Sequence, residues 1–338
     1  MHLSHVTQGR NAGLGLALVS AFAFGGSGVA AKPLIEAGLD PLHVVWLRVA
    51  GAAIVLLPVA WRHRALVLRR PALLLGFGLL GVAGVQALYF AAISRIPVGV
   101  AILVEFLGPA LLLGWVRFVQ RKPVTRAAAV GVVLAVGGMA SVVEIWSGLA
   151  FDALGLLLAF GAAVCQVSYF VLADHGSQGD DAPDPFAVIA YGLLVGAVAL
   201  TLVSRPWDMD WSVLAGQAAL GARDVPAWVL LGWVVLVATV VAYLTGVLAV
   251  RRLSPQIAGV VACLEAVVGT VFAWVLLGEH LALPQIVGGA LVLAGAFVAQ
   301  TAKLASAASA HAPEPVIEPI PEPIPEPIPE PVAGHEHV

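Results

Sequence analysis

Apolar residues in this chain come in long blocks rather than in alternation. Seven stretches contain no Asp, Glu, Lys or Arg: Asn11–Ala31, Pro71–Ser94, Ala127–Val143, Ala153–Ala173, Phe186–Ser204, Pro226–Val250 and His280–Ala302. Three more, Pro41–Trp61, Ile96–Val116 and Leu253–Gly278, are interrupted by only one or two charges. Each is close to the ~20 apolar residues that a helix needs to cross hydrocarbon. The pattern predicts an all-α membrane protein with ten transmembrane helices. The first block is too long for a secretory signal and is followed at once by further spans, so it reads as retained.

Two segments stand apart from the blocks. Arg205–Val225, with Trp207 and Trp211, is the longest connection on its side; it reads either as a short interfacial helix with tryptophans at headgroup level or as an unstructured loop. Beyond Lys303 the composition changes, and nine of the 22 prolines fall between Pro313 and Val332. Proline at that density excludes helix and sheet, leaving an extended or disordered tail.

The two halves of the chain resemble each other. Shifted by 157 residues, Arg95-Ile96 falls on Arg252-Leu253, and Gly131, Leu134 and Gly138 fall on Gly288, Leu291 and Gly295, with no gap needed. Near the start of each half a different offset aligns Asp40-Pro41-Leu42 with Asp184-Pro185-Phe186 and Gly15-Leu16 with Gly155-Leu156. A unit of five spans places its second copy upside down in the bilayer, and inverted repeats are characteristic of secondary transporters. The expected organisation is therefore a first five-helix repeat (1–150), a second (151–303) and a disordered tail rich in Pro and Glu (304–338).

Composition agrees with this reading. Of 338 residues 60% are hydrophobic and only 11% are charged, against about a quarter charged in soluble domains. A soluble enzyme is thereby excluded. With the N-terminus placed in the cytoplasm, twelve of the 17 Lys and Arg lie on cytoplasmic segments and four on outer ones. This distribution predicts a multi-pass protein of the cell (inner or plasma) membrane with both termini inside.

Candidate chemistry lies where polarity persists inside the spans, because a charge in hydrocarbon is costly and usually faces a cavity. Arg48, Glu105 and Glu265 are the ionisable residues within spans. Glu265 aligns with Gly108, one helical turn from Glu105, so both carboxylates can face one space. Each reads either as a contact for a substrate ammonium or a proton carrier, or as a carboxylate pinning helices together, with Arg48 as a candidate partner. Arg48 reads more readily as structural, with a side chain able to snorkel outward. Gln86/Tyr89 and Gln166/Tyr169 share a three-residue spacing, and Tyr243 adds a ring that suits a cavity wall. Cys165 and Cys263 fall inside spans and suggest neither a disulfide framework nor a zinc site. His335 and His337, on a flexible end, make a poor metal site. No P-loop, His-Glu-x-x-His or nucleophile elbow is present. No cofactor, metal or enzymatic activity is expected.

These residues carry a resemblance. The run Val250-Arg-Arg-Leu-Ser-Pro-Gln-Ile-Ala-Gly-Val-Val-Ala-Cys-Leu-Glu-Ala-Val-Val-Gly269, followed by Leu277-Gly-Glu-His280, resembles the ninth helix of the EamA-type family in the drug/metabolite transporter superfamily. Tyr89 through Pro109 is similar to the threonine/homoserine exporter branch. In this chain Glu265-Ala266 stands where many members have Glu-Pro, and Val116-Arg117 replaces a Gly-Glu. The resemblance implies a ten-helix carrier exporting a small polar metabolite by alternating access, with proton coupling as a hypothesis. Broad drug efflux, uptake, or a sensor acting through the tail are the alternatives. The expected partners are a small-molecule substrate and the bilayer, not nucleic acid; a homodimer and a tail-binding partner are left open.

Overall fold

A computed structural model describes residues 2–121, 123–144, 151–176, 183–253 and 255–310. Among the described residues the main elements are ten helices: α1 (His2–Glu36), α2 (Pro41–Arg62), α3 (Pro71–Ile93), α4 (Val98–Phe118), α5 (Arg126–Val142), α6 (Ala153–Gly176), α7 (Pro185–Ser204), α8 (Ala227–Ala249), α9 (Pro255–Leu277) and α10 (Leu283–Ala310). Among the described residues, six are long and apolar enough to cross a membrane by length and composition, and four shorter apolar helices accompany them.

Local chemistry sets the boundaries. Asp40 caps α2 by accepting from the Leu42 N–H at 2.8 Å, and Asp184 caps α7 through Phe186 and Ala187. In both, a proline follows as the first helical residue, where its missing N–H costs nothing. Thr125 and Asp152 cap α5 and α6 in the same manner. Two boundaries differ from expectation. α1 runs through Lys32 to Glu36 because the lysine finds a partner inside the bundle. α10 continues to Ala310, past the tail boundary expected at 304, on the helix-favouring Leu304-Ala-Ser-Ala-Ala-Ser-Ala310. The proline-rich run lies outside the described residues.

The heaviest packing crosses between the halves. α5 lies on α10, α2 on α7, and α4 on α9; α1 packs on α8 and α9, while α6 packs on α3 and α4. The α5–α10 contact is backbone to backbone. A Cβ on Gly138 would lie 2.6 Å from the Gly288 carbonyl oxygen, and one on Gly295 would lie 2.5 Å from that of Gly131. The glycines that align at an offset of 157 are thus in reciprocal contact, each touching the counterpart of the other. Gly13 against Arg252-Leu253 likewise mirrors Gly155 against Arg95-Ile96. Gly15, which aligns with Gly155 in sequence, has open space around it.

The connection at 205–225 is not an unstructured loop, and the short helix expected there is a single turn that gives way to a hairpin. A 3-10 turn (Pro206–Asp208) and one helical turn (Ser212–Ala215) lead to an antiparallel hairpin, β1 (Gln217–Leu220) and β2 (Arg223–Pro226). Gly221, at φ 61, supplies the positive dihedral wanted at the start of a two-residue hairpin turn. Its Cα rests against the end of α9, where a Cβ would run into the Leu276 carbonyl. Trp207 and Trp211 are exposed. Around the bundle Ile54, Leu157, Leu202 and Trp274 also point outward, a surface that lipid rather than water would cover.

Candidate functional site

Two irregularities bring the polar residues together. α3 and α8 each contain a π-helical stretch, Phe77–Gly84 and Trp233–Val241, at nearly equivalent places in the two halves. Such wide turns recur at functional sites. α4 is broken: one helix ends at Glu105, a turn at Phe106-Leu107 follows, and a second helix begins at Gly108. Pro109 explains the break, because it has no N–H to offer the Glu105 carbonyl four residues earlier and its ring crowds that oxygen.

Between these helices lies a cavity of about 190 Å³, lined by Phe24, Ser27, Arg48, Val85, Gln86, Tyr89, Ile102, Glu105, Phe106, Pro109, Gln166 and Glu265. Six helices, α1–α4, α6 and α9, contribute to it. Close helix approach, set by glycine, shapes its walls. Gly25 places α1 directly on α9: a Cβ there would stand 2.9 Å from the Glu265 carbonyl oxygen, and Phe24 and Ser27 line the same cavity as Glu265. Gly28 leaves room for the Tyr89 hydroxyl, 2.5 Å from where a Cβ would stand. Gly108 does the same for Gln166, whose amide Nε2 donates to Glu105 Oε1 at 3.3 Å.

Arg48 is only 2% exposed and does not snorkel. Its Nε–H donates to Thr239 Oγ1 at 2.7 Å; Nη1 donates to Ser27 Oγ and Gln86 Oε1, each at 2.7 Å; Nη2 donates to the Ala238 carbonyl at 3.1 Å. The π-helical stretch of α8 presents two of these acceptors, Thr239 Oγ1 and the Ala238 carbonyl, and Thr239 in turn donates to the Val234 carbonyl. The Phe90 ring lies 5.4 Å from the guanidinium carbon. Every one of these partners is neutral. Among the described residues no carboxylate is paired with Arg48, so a helix-pinning ion pair to Glu105 or Glu265 is not formed. Four of the five N–H groups are used, and one on Nη2 remains. A buried cation and two carboxylates thus share one small cavity without touching, an arrangement that leaves each available to a charged guest.

Of the residues singled out from sequence, Arg48, Gln86, Tyr89, Glu105, Gln166 and Glu265 meet in this cavity. Tyr243 stands one ring behind it, edge-on to Phe24 at 5.0 Å. The side chain of Tyr169 lies outside the described residues. Sequence reasoning missed Ser27 and Thr239, which hold Arg48, and Phe24, Phe106 and Pro109, which form walls. The Gly25-Gly26-Ser27-Gly28 run and the Gly108-Pro109 pair were the available signals.

Comparison with known proteins places this geometry in context. The model of the EamA-like transporter family matches residues 11–143 and again 153–301. The threonine/homoserine exporter RhtA of Salmonella typhimurium (strain SL1344) is 29% identical over 256 residues, covering 74% of this chain and 79% of that protein. Its counterpart from Escherichia coli (strain K12) is 28% identical with the same coverage. A crystal structure of a protein 20% identical in sequence superimposes with a TM-score of 0.53, covering 87% of this chain and 96% of the other, a likeness of fold.

Proposed function

Because the chain belongs to the EamA-like transporter family, and so is a multi-pass membrane transporter rather than an enzyme, we propose that it exports a small zwitterionic metabolite, an amino acid of threonine or homoserine size, by alternating access. The observation that carries this reading is the charge pattern of the cavity. Glu105 and Glu265 offer two acceptors for an ammonium group, and Arg48 keeps one N–H for a carboxylate, with Tyr89 and Gln166 beside them. At about 190 Å³ the cavity is smaller than the ~300–1,000 Å³ typical of drug-sized sites. That size favours an amino acid over broad drug efflux. The names of the RhtA relatives point the same way.

Two inverted five-helix repeats, 1–150 and 151–303, are the frame of the mechanism. The reciprocal glycine contacts of α5 and α10 support it, since a two-fold axis makes each residue touch its partner's counterpart. The hairpin end of the bundle then faces outward and both termini lie in the cytoplasm. Coupling to protons follows from Glu105 and Glu265, which can each give up a proton when substrate ammonium arrives and regain one on the return.

Counterflow in proteoliposomes tests the reading. Loaded threonine should drive entry of labelled threonine, and unlabelled threonine should compete. Threonine methyl ester, lacking the carboxylate, and N-acetylthreonine, lacking the ammonium, should compete at least tenfold less well, since each forfeits a charge-assisted contact of about 1.5–3 kcal/mol. Equal competition by either analogue would overturn the zwitterion assignment.

A further inference from the structure

One layer nearer the hairpin than the cavity, a second polar cluster joins elements that are far apart in sequence. Lys32 Nζ of α1 lies 2.8 Å from Glu279 Oε1, on the connection between α9 and α10. The same carboxylate accepts the first N–H groups of α4, Val98 at 3.0 Å and Gly99 at 3.3 Å. Gly278, at φ 69, turns the chain so that Glu279 can reach them. The lysine and glutamate side chains are 18% and 12% exposed. Two other ion pairs, Arg95–Asp152 at 3.7 Å and Arg251–Asp184 at 3.2 Å, have side chains that are all 35% exposed or more. Exposed pairs contribute little and are weakened by salt, whereas a sheltered pair that also satisfies helix N–H groups holds. Directly beneath it Gly28 lets α1 close on both Tyr89 and Val98.

What the cluster grips is a lever. The first half of α4, Val98–Glu105, is eight residues or roughly 12 Å long. Glu279 pins one end, Glu105 of the cavity forms the other, and the break at Phe106–Pro109 frees the lever from the second half of the helix. We propose that Lys32 and Glu279 form a latch that closes the hairpin end of the cavity, and that its release swings the half-helix Val98–Glu105 about the Pro109 break, so that the gate and Glu105 move together. A plain helix cap would need an acceptor only, with no lysine from another helix. The pairing with Lys32 ties α4 to α1, across the path by which a solute would leave the cavity toward the hairpin. The inference rests on the alternating-access reading above.

The latch makes an asymmetric prediction. Lys32→Gln breaks the tie to α1 but leaves Glu279 on the α4 N–H groups; Glu279→Gln weakens both. The charge swap Lys32→Glu with Glu279→Lys restores opposite charges yet offers α4 no acceptor at 279, so it should not restore closure. The reporter is Val85→Cys on the cavity wall, in a background with Cys165→Ala and Cys263→Ala, and exposed Ala222→Cys in a parallel protein identifies the hairpin face. A membrane-impermeant methanethiosulfonate reagent applied at that face should label Val85→Cys on the order of tenfold faster with Lys32→Gln, and faster again with Glu279→Gln. Labelling rates equal to the parent's in both variants would overturn the latch.

If either charge variant fails to fold, Lys32→Cys with Glu279→Cys, joined by a bifunctional methanethiosulfonate reagent, gives a second reading. Transport should stop when the two are joined and resume with dithiothreitol; transport that continues while they are joined would also overturn the latch. The two proposals fail separately. A parent protein that carries no amino acid sinks the carrier reading, while unchanged labelling in a parent that transports sinks only the latch.

Discussion

Glu105→Gln tests the cavity most directly, because the substitution changes charge with little change in shape. The glutamine keeps an oxygen to accept from Gln166, which now donates to Oε1 at 3.3 Å. The lost strength there is the difference between a charge-assisted and a neutral hydrogen bond, about 1 kcal/mol. It is offset by the smaller cost of burying an amide than a carboxylate. The fold should therefore survive, with a melting temperature in detergent within a few degrees of the parent. Binding should suffer more. An ammonium that loses a charge-assisted contact forfeits about 1.5–3 kcal/mol, or roughly 10- to 100-fold in apparent affinity. The assay is threonine counterflow across a concentration series, run beside export driven by a pH gradient. The expected result is a raised KM in counterflow and loss of gradient-driven export at normal protein level. Unchanged KM together with unchanged gradient-driven export would show that Glu105 neither binds substrate nor carries a proton.

Three further outcomes follow from the packing. Gly138→Val should destabilise by roughly 1–3 kcal/mol, because its Cβ would press on the Gly288 carbonyl at 2.6 Å and the Val292 nitrogen at 2.7 Å; Gly137→Val, which meets nothing within 4 Å, is the control, and equal melting temperatures would refute the contact. Pro109→Ala returns an N–H to the Glu105 carbonyl, so it should raise the melting temperature, by up to ~3 kcal/mol of helix stability, while slowing turnover; faster counterflow would argue against a hinge there. At the termini end, partial burial works to raise the Asp184 carboxyl, but the hydrogen bonds from Arg251 and from the Phe186 and Ala187 N–H groups outweigh it and hold it below the ordinary carboxylate range. A group held lower in the folded state stabilises above its unfolded pKa of about 4 and loses that contribution as pH falls through its folded value. Asp184→Asn should therefore lower the melting temperature at neutral pH, with the gap to the parent closing in acid; a gap independent of pH would refute the assignment.

Helix positions were legible because hydrocarbon imposes a simple rule on sequence. A charge-free run of the right length has few alternatives, and Asp-Pro at 40–41 and 184–185 marks two starts to the residue. The cavity was partly legible for the same reason: Arg48, Glu105 and Glu265 are conspicuous against an apolar background. What these residues bond to was not legible. Arg48 finds Thr239 and Ala238 through the crossing of α2 on a π-helical stretch of α8, and no local pattern announces either. Nothing in the sequence pairs Lys32 with Glu279, which lie 247 residues apart until the fold sets them together. The hairpin escaped notice because Gln217-Ala-Ala-Leu220 has no clear alternation of apolar and polar residues, leaving Gly221 as its only strong marker.

The surroundings of Arg48 also constrain how the protein is made. Ser27 precedes it and Gln86 follows within one hairpin of helices, but Thr239 lies 191 residues downstream. At a synthesis rate of ~5–20 residues per second, α2 waits roughly 10–40 s with two of its four acceptors still unwritten. A guanidinium in bare lipid is costly, so sheltering the early helices or setting them shallowly in the bilayer lowers that cost until α8 emerges. A ribosome that stalls before residue 239 leaves behind a product with an unmet positive charge, which membrane quality control can recognise.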